Sequence, residues 1–225
     1  VLVISEKDSP HSSQIKALIG AMFSLDEGAF NTVLTGNILK MGLEDTVSQI
    51  VFPFLHQIGV LWMTEAIHPA HEHFITNLIR QKLFVAIDAQ TGKVDKNGKK
   101  FLLFLPEGVT HEIGLLLANY TLRTKGHQVV YLGQNLPHED LARVFNFYEP
   151  DYVFSTVTSA LDGQGVQAFI DHLSESWPDT TIILTGYLIV SNTKLKFPHN
   201  VRAIKEIAEL TKIATEAQKI YSYPS

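Results

Sequence analysis

The stretch Pro106-Glu107-Gly108-Val109-Thr110-His111-Glu112-Ile113-Gly114 sets one imidazole between a continuous apolar run and an apolar-periodic segment. The run Phe101-Leu102-Leu103-Phe104-Leu105 reads as a strand buried on both faces. A histidine in the loop leaving such a strand points over the edge of the sheet. Neutral imidazole is a common ligand of mid-row transition metals, and its second ring nitrogen is normally fixed by a neighbouring acceptor. Gly114, three residues on, lets the next helix approach a bulky ligand closely. Alone the loop is a weak sign, because most loop histidines are simply solvated.

A second set lies in the first half. Trp62 is followed, after nine intervening residues, by Glu72-His73. The indole offers a large rigid apolar face, and the pair offers a carboxylate acceptor and a titratable imidazole. Together they suit the sugar hydroxyls and apolar body of a nucleoside. The plain alternatives are a core tryptophan and a helix-start carboxylate favoured by the helix dipole.

The elements that must position these groups change character near residue 91. Before it, apolar residues recur at helical spacing. Ile15, Leu18, Ile19 and Met22 mark a first helix, and Phe30, Val33, Leu34, Ile38 and Leu39 a second. Val47, Ile50, Val51, Phe54, Leu55, Ile58 and Trp62 mark a third, which Pro53 should kink or interrupt. Phe74, Ile75, Leu78, Ile79 and Leu83 mark a fourth, with Pro69 in its first turn. The expectation is a four-helix bundle over 1–90. Residues 91–99 read as a polar linker, and Lys93, Lys96, Lys99 and Lys100 as a solvated cluster. From residue 100 to 225, buried runs alternate with helical segments: Phe101–Leu105, Val129–Leu132, Tyr152–Phe154, Ile182–Leu184 and a last helix over Ile204–Ile220. This pattern predicts an α/β fold, a flavodoxin- or Rossmann-like parallel five-stranded sheet with helices on both faces. Ligands of such sheets bind at the carboxyl ends of the strands.

The second half resembles the cobalamin-binding domain shared by methionine synthase, B12-dependent mutases and B12-dependent regulators, whose pattern is Asp-x-His-x-x-Gly, then Ser-x-Leu, then Gly-Gly. His111 and Gly114 match the first motif. Ser155-Thr156-Val157 matches the second with valine for leucine, and Thr185-Gly186 the third with one glycine lost. Trp62 with Glu72-His73 resembles the signature of the helical bundle in light- and B12-responsive MerR-type regulators, the CarH/LitR group. The resemblance implies that adenosylcobalamin is held between bundle and Rossmann-like half, with His111 as axial ligand of the cobalt. It implies that Trp62, Met63, Glu72 and His73 face the upper axial group, while Thr110, Gly114, Ser155, Val157, Thr185 and Gly186 touch the cofactor. It further implies a photoreceptor whose oligomerisation, as homodimer or tetramer, controls DNA binding through an N-terminal winged helix that this chain does not contain. The rival reading is a methyl-carrying corrinoid protein of a B12-dependent methyltransferase system, which has the same order of domains.

Two positions depart from the pattern. Val109 stands where the family has the acid that hydrogen-bonds the ligand histidine, so either Glu107, Glu112, a backbone carbonyl or water serves instead, or that support is absent. Met63 stands where the photoreceptors have a histidine; His68 and His71 are nearby but read as surface residues. Of the other histidines, His56 reads as a satisfied core residue, and His127, His138, His172 and His199 as loop or helix-surface positions.

The composition agrees with a binding domain and excludes other classes. The 225 residues contain no cysteine, which rules out thiolate metal sites and disulfides and fits a reducing cytoplasm. A net charge of −5 without a basic patch argues against direct nucleic-acid binding. No run of eighteen apolar residues predicts a membrane span, and no signal peptide is seen. The chain starts at Val1 and is read as a piece of something longer. A receiver domain would need an acid where Ser155 stands, and a dinucleotide binder would need Gly-x-Gly-x-x-Gly after the first strand.

Overall fold

The computed structural model describes residues 10–63, 67–161 and 165–219. It divides into two compact units, 1–84 and 85–225.

The first unit is helical: α1 (Ser12–Phe23), α2 (Glu27–Met41), α3 (Leu43–Thr46), α4 (Phe52–Met63) and α5 (Pro69–Asp88), whose last turn enters the second unit. Asp26 caps α2, its side chain accepting from the Ala29 amide at 2.8 Å, and Gly42 at φ 85° ends it. Buried side chains follow the expected stripes, with Ile15, Leu18 and Met22 on α1, Phe30 and Leu34 on α2, and Ile75, Ile79 and Leu83 on α5. Leu39 departs from its stripe and is 82% exposed.

The third stripe is one continuous rod, Leu43–Met63. Pro53 does not interrupt it. Proline has no N–H for the carbonyl four residues back, and the chain absorbs that loss with a π-helical turn over Val47–Val51, the Phe52 amide donating to Val47 O. Val47, Ile50, Val51, Phe54 and Ile58 are buried, while His56 turns outward, so the reading of His56 as a core residue is wrong. The rod is long and apolar enough by composition to cross a membrane, with mean hydropathy 1.2. Its buried stripe is what packs against α1 and α2.

The second unit has five parallel strands, β1 (Lys100–Pro106), β2 (Gln128–Leu136), β3 (Tyr152–Thr156), β4 (Thr181–Thr185) and β5 (Val201–Ala203), in the order β2-β1-β3-β4-β5. Helices α6 (Ile113–Thr124), α7 (His138–Tyr148), α8 (Val166–Ser176), α9 (Tyr187–Val190) and α10 (Ile207–Lys219) connect and follow them. Ile220, the expected end of the last helix, lies outside the described residues. Every residue from Phe101 to Pro106 is buried. Successive side chains of a strand point to opposite faces, so the sheet is covered on both. Each fully buried Leu or Phe contributes about 1.5–3 kcal/mol. The strand order reverses at β1, which pairs with β2 on one side and β3 on the other. The crevice at the carboxyl ends of β1 and β3 is therefore the topological switch point.

The linker is partly built in. The Asp95 amide donates to Gly126 O, Lys99 pairs with Asp151 at 3.5 Å, and Lys100 Nζ donates to Tyr148 O, so neither lysine belongs to a solvated cluster. His127 is not a surface residue either. It is 1% exposed, its Nδ1 accepts from the Lys99 amide, and its Nε2 lies 2.9 Å from Ala214 O. These partners require the neutral ring with its proton on Nε2. His138 is half-buried, its ring stacked on Trp177 and 3.9 Å from that of His172.

Burial lowers the His127 pKa below 6.5, against the opposing pull of the Ala214 carbonyl, Asp151 and Asp95. In the unfolded chain the ring binds a proton at higher pH than in the folded one. Stability is thus fully present above about pH 6.5 and falls as the pH drops toward the depressed folded value. Urea unfolding of the parent should show a lower midpoint at pH 5.5 than at pH 7.5. In His127→Gln that particular loss should shrink, and an undiminished acid loss would assign it to another group.

Candidate functional site

The loop after β1 carries His111 on the surface and buries Val109 and Glu112 around it. Val109 is fully buried within the sheet's apolar core, and Glu112 is 5% exposed. The Glu112 carboxylate accepts from Tyr131 Oη and, at 3.4 Å, from Gln134 Nε2, both on β2. It is committed there and does not serve the ring of His111. Glu107 and Thr110 are exposed. Among the described residues His111 makes no hydrogen bond. The valine in the acid's place is thus more than a missing acceptor: its side chain faces the interior and anchors the loop.

Asn135, in the left-handed region at φ 56°, reaches the loop from the end of β2. Its Oδ1 accepts from the Gly108 amide at 2.9 Å, and its own amide donates to Val109 O at 3.1 Å. Sequence reasoning missed this residue, although asparagine is among the few side chains that adopt a left-handed backbone readily.

The ends of β3 and β4 adjoin this loop. Ser155 and Val157 are fully buried and Thr156 nearly so. The hydroxyls of Ser155, Thr156 and Thr158 are buried and have no hydrogen-bond partner among the described residues. A buried unsatisfied hydroxyl costs about 1–3 kcal/mol. Three such hydroxyls fall within four residues at the switch point, which makes this end of the sheet the candidate site for a polar ligand. Gly114 borders it: a Cβ there would lie 3.8 Å from Thr156 Cγ2 and Oγ1. Thr156 and Thr158 were not foreseen, because a burial without partners has no sequence signal. Thr185 differs from Ser155, since its hydroxyl donates to Ile204 O at 2.8 Å. Gly186, at φ 104°, abuts the backbone of Val157 and lets β3 and β4 end side by side. The structure therefore brings Gly114, Ser155, Val157, Thr185 and Gly186 together beside the loop of His111.

In the helical unit, Trp62 and Met63 end α4 and are 45% and 77% exposed. That exposure excludes the core-tryptophan alternative. Glu72 and His73 lie in the first turn of α5, with His73 Nδ1 3.1 Å from Glu72 Oε2. His68 is exposed, and His71 Nδ1 accepts from its amide.

Residues 14–86 match the family model described as a B12 binding domain. The chain is 25% identical over 175 residues to the HTH-type transcriptional repressor CarH of Myxococcus xanthus, a match covering 77% of this chain and 58% of that protein. Against the HTH-type transcriptional repressor CarA of the same organism it is 24% identical over 219 residues, 97% of this chain and 74% of the repressor. The chain thus spans less than two thirds of the length of CarH. Among solved structures, the monomethylamine corrinoid protein of Methanosarcina barkeri superposes with TM-score 0.70 at 15% identity, covering 92% of this chain and 99% of that one. This last likeness shows the fold. The orphaned hydroxyls, the exposed imidazole and the glycine-lined crevice fit cobalamin, and the chain is a cobalamin-binding region built on a helical B12 binding domain and resembling those of the CarH-type repressors.

Proposed function

We propose that this chain is the sensor and effector region of a bacterial transcriptional regulator and that it takes adenosylcobalamin. In this reading His111 would give a nitrogen ligand to cobalt, and Ser155, Val157, Thr185, Gly186, Thr110 and Gly114 would hold the rest of the cofactor, with Thr185 contributing backbone because its hydroxyl is engaged. Trp62, Met63, Glu72 and His73 would meet the adenosyl group. When bound, cobalamin supplies a cobalt ion whose upper carbon ligand is exchangeable and light-sensitive. The chain's own part is to recognise that upper group and to change its self-association when the group is present. DNA is reached through a winged-helix domain outside this chain, by analogy with the repressors it resembles. An effector acts as a switch only through a difference in affinity between two states.

The observation that carries the reading is the exposed tryptophan at the end of α4 in a unit matching a B12 binding domain. A large apolar face left open beside a Glu–His pair suits a nucleoside-bearing ligand. The competing reading, a methyl carrier of a corrinoid methyltransferase, is weakened by Val109, which leaves the axial imidazole without an acid to tune the cobalt.

Titration with adenosylcobalamin and methylcobalamin in the dark separates the two. Tighter binding of the adenosyl form is expected, as is a larger particle on gel filtration that dissociates after illumination. Preference for the methyl form favours the carrier. Elution that stays the same in dark and light, with cofactor retained, removes light as the signal.

A further inference from the structure

We propose that Asn135 is a positioning residue for His111, taking over by fixing the loop what an acid beside the ring does in related sites. The inference rests on His111 as the cobalt ligand. A metal-ligating histidine is ordinarily oriented by a partner on its second nitrogen, and loss of that partner costs about 10–100-fold in metal affinity. Here no such partner is present among the described residues, and Val109 and Glu112, which flank the ring in sequence, are turned elsewhere. What remains is control of the backbone. The loop is tied at three points around His111. Asn135 Oδ1 holds the Gly108 amide, the Asn135 amide holds Val109 O, and Tyr131 holds Glu112. Asn135 makes two of these ties from one residue, and its left-handed backbone aims both at the loop. A loop pinned on each side of the ligand loses less conformational entropy when the bond to cobalt forms. The predicted division of labour is that the loop, and not a partner on the ring, sets where the ring stands.

Alanine at position 135 is a poor probe, since φ 56° strains any residue with a Cβ other than asparagine or aspartate. Glycine tolerates that backbone and removes only the side-chain tie, whereas aspartate keeps both. Hydroxocobalamin is titrated by absorbance into the parent, Asn135→Gly, Asn135→Asp, His111→Ala and the double variant Asn135→Gly/His111→Ala. Asn135→Gly is expected to bind about tenfold more weakly than the parent, and Asn135→Asp to recover the affinity. In the His111→Ala background the glycine should cost nothing further, because there is no ring left to position. A loss of the same factor in both backgrounds, or none in the parent, overturns the positioning role. Should His111→Ala bind as tightly as the parent, the ligand assignment itself fails, and the inference with it.

Discussion

His111→Ala should abolish the absorption signature of an axial nitrogen from the protein and weaken cobalamin binding by at least 10–100-fold, the range that loss of even an outer partner costs a metal site. The stability of the α/β unit should not change. His111 is exposed, it makes no hydrogen bond among the described residues, and its loop is held by Val109, Glu112 and Asn135 instead. A surface histidine of this kind contributes within about 0.5 kcal/mol to folding. The comparison needs two measurements on the same samples: the visible spectrum with cobalamin and the urea midpoint without it. The parent should show the base-off form with histidine bound. An unchanged spectrum in His111→Ala, with the vitamin's own benzimidazole in the lower position in both proteins, would remove the axial ligand from the account. Binding in the crevice at Ser155 would then have to carry the whole affinity.

The fold was legible wherever one periodicity ran undisturbed. Strands β1, β3 and β4 announce themselves as apolar runs because both of their faces are covered. The order of domains follows from the switch of period near residue 91. The errors fall where a distant or cumulative cause acts. His56 is set among apolar residues in sequence, but on the helix it lies two positions from buried Phe54 and two from buried Ile58, on the opposite face. Trp62 continues the spacing of Phe54 and Ile58 but lies in the last turn of α4 and is 45% exposed. His127 is buried by α10, eighty-seven residues further on, through Ala214. Lys99 and Lys100 look like linker but meet Asp151 and the Tyr148 carbonyl across the end of the sheet.

Within the candidate site, the motif residues were visible because their types are restrictive: an imidazole, a small hydroxyl and glycines at strand ends. Their division into roles was not. Two hydroxyls of similar kind, Ser155 and Thr185, differ only because Ile204 O lies 2.8 Å from the second. Likewise the departure at Val109 reads as a bare loss in sequence. In the structure it is an exchange, since the valine anchors the loop in the apolar core and the polar ties come from β2.

The two glycines of the crevice separate folding from ligand space. Gly186→Ala should destabilise the α/β unit by roughly 3 kcal/mol or more, combining strain at a positive φ with a forced backbone shift. A Cβ at Gly186 would lie 2.5 Å from Val157 O and 2.8 Å from Val157 N, and neither is the movable end of a side chain. The same atoms hold the bonds from the Val157 amide to Thr185 O and from the Leu188 amide to Val157 O, so the ends of β3 and β4 should part and cobalamin binding should fail together with stability. Gly114→Ala is the opposite case. Its Cβ would meet only Thr156 Cγ2 and Oγ1, at an ordinary 3.8 Å, and it sits in the first turn of α6, where alanine gains about 0.5–1 kcal/mol over glycine. The urea midpoint should hold or rise while cobalamin affinity falls, because the methyl occupies the mouth of the crevice above the orphaned hydroxyls. If Gly114→Ala binds cobalamin as well as the parent does, the ligand does not pass between α6 and the end of β3, and the partnerless hydroxyls of Ser155 and Thr156 must be satisfied by something else.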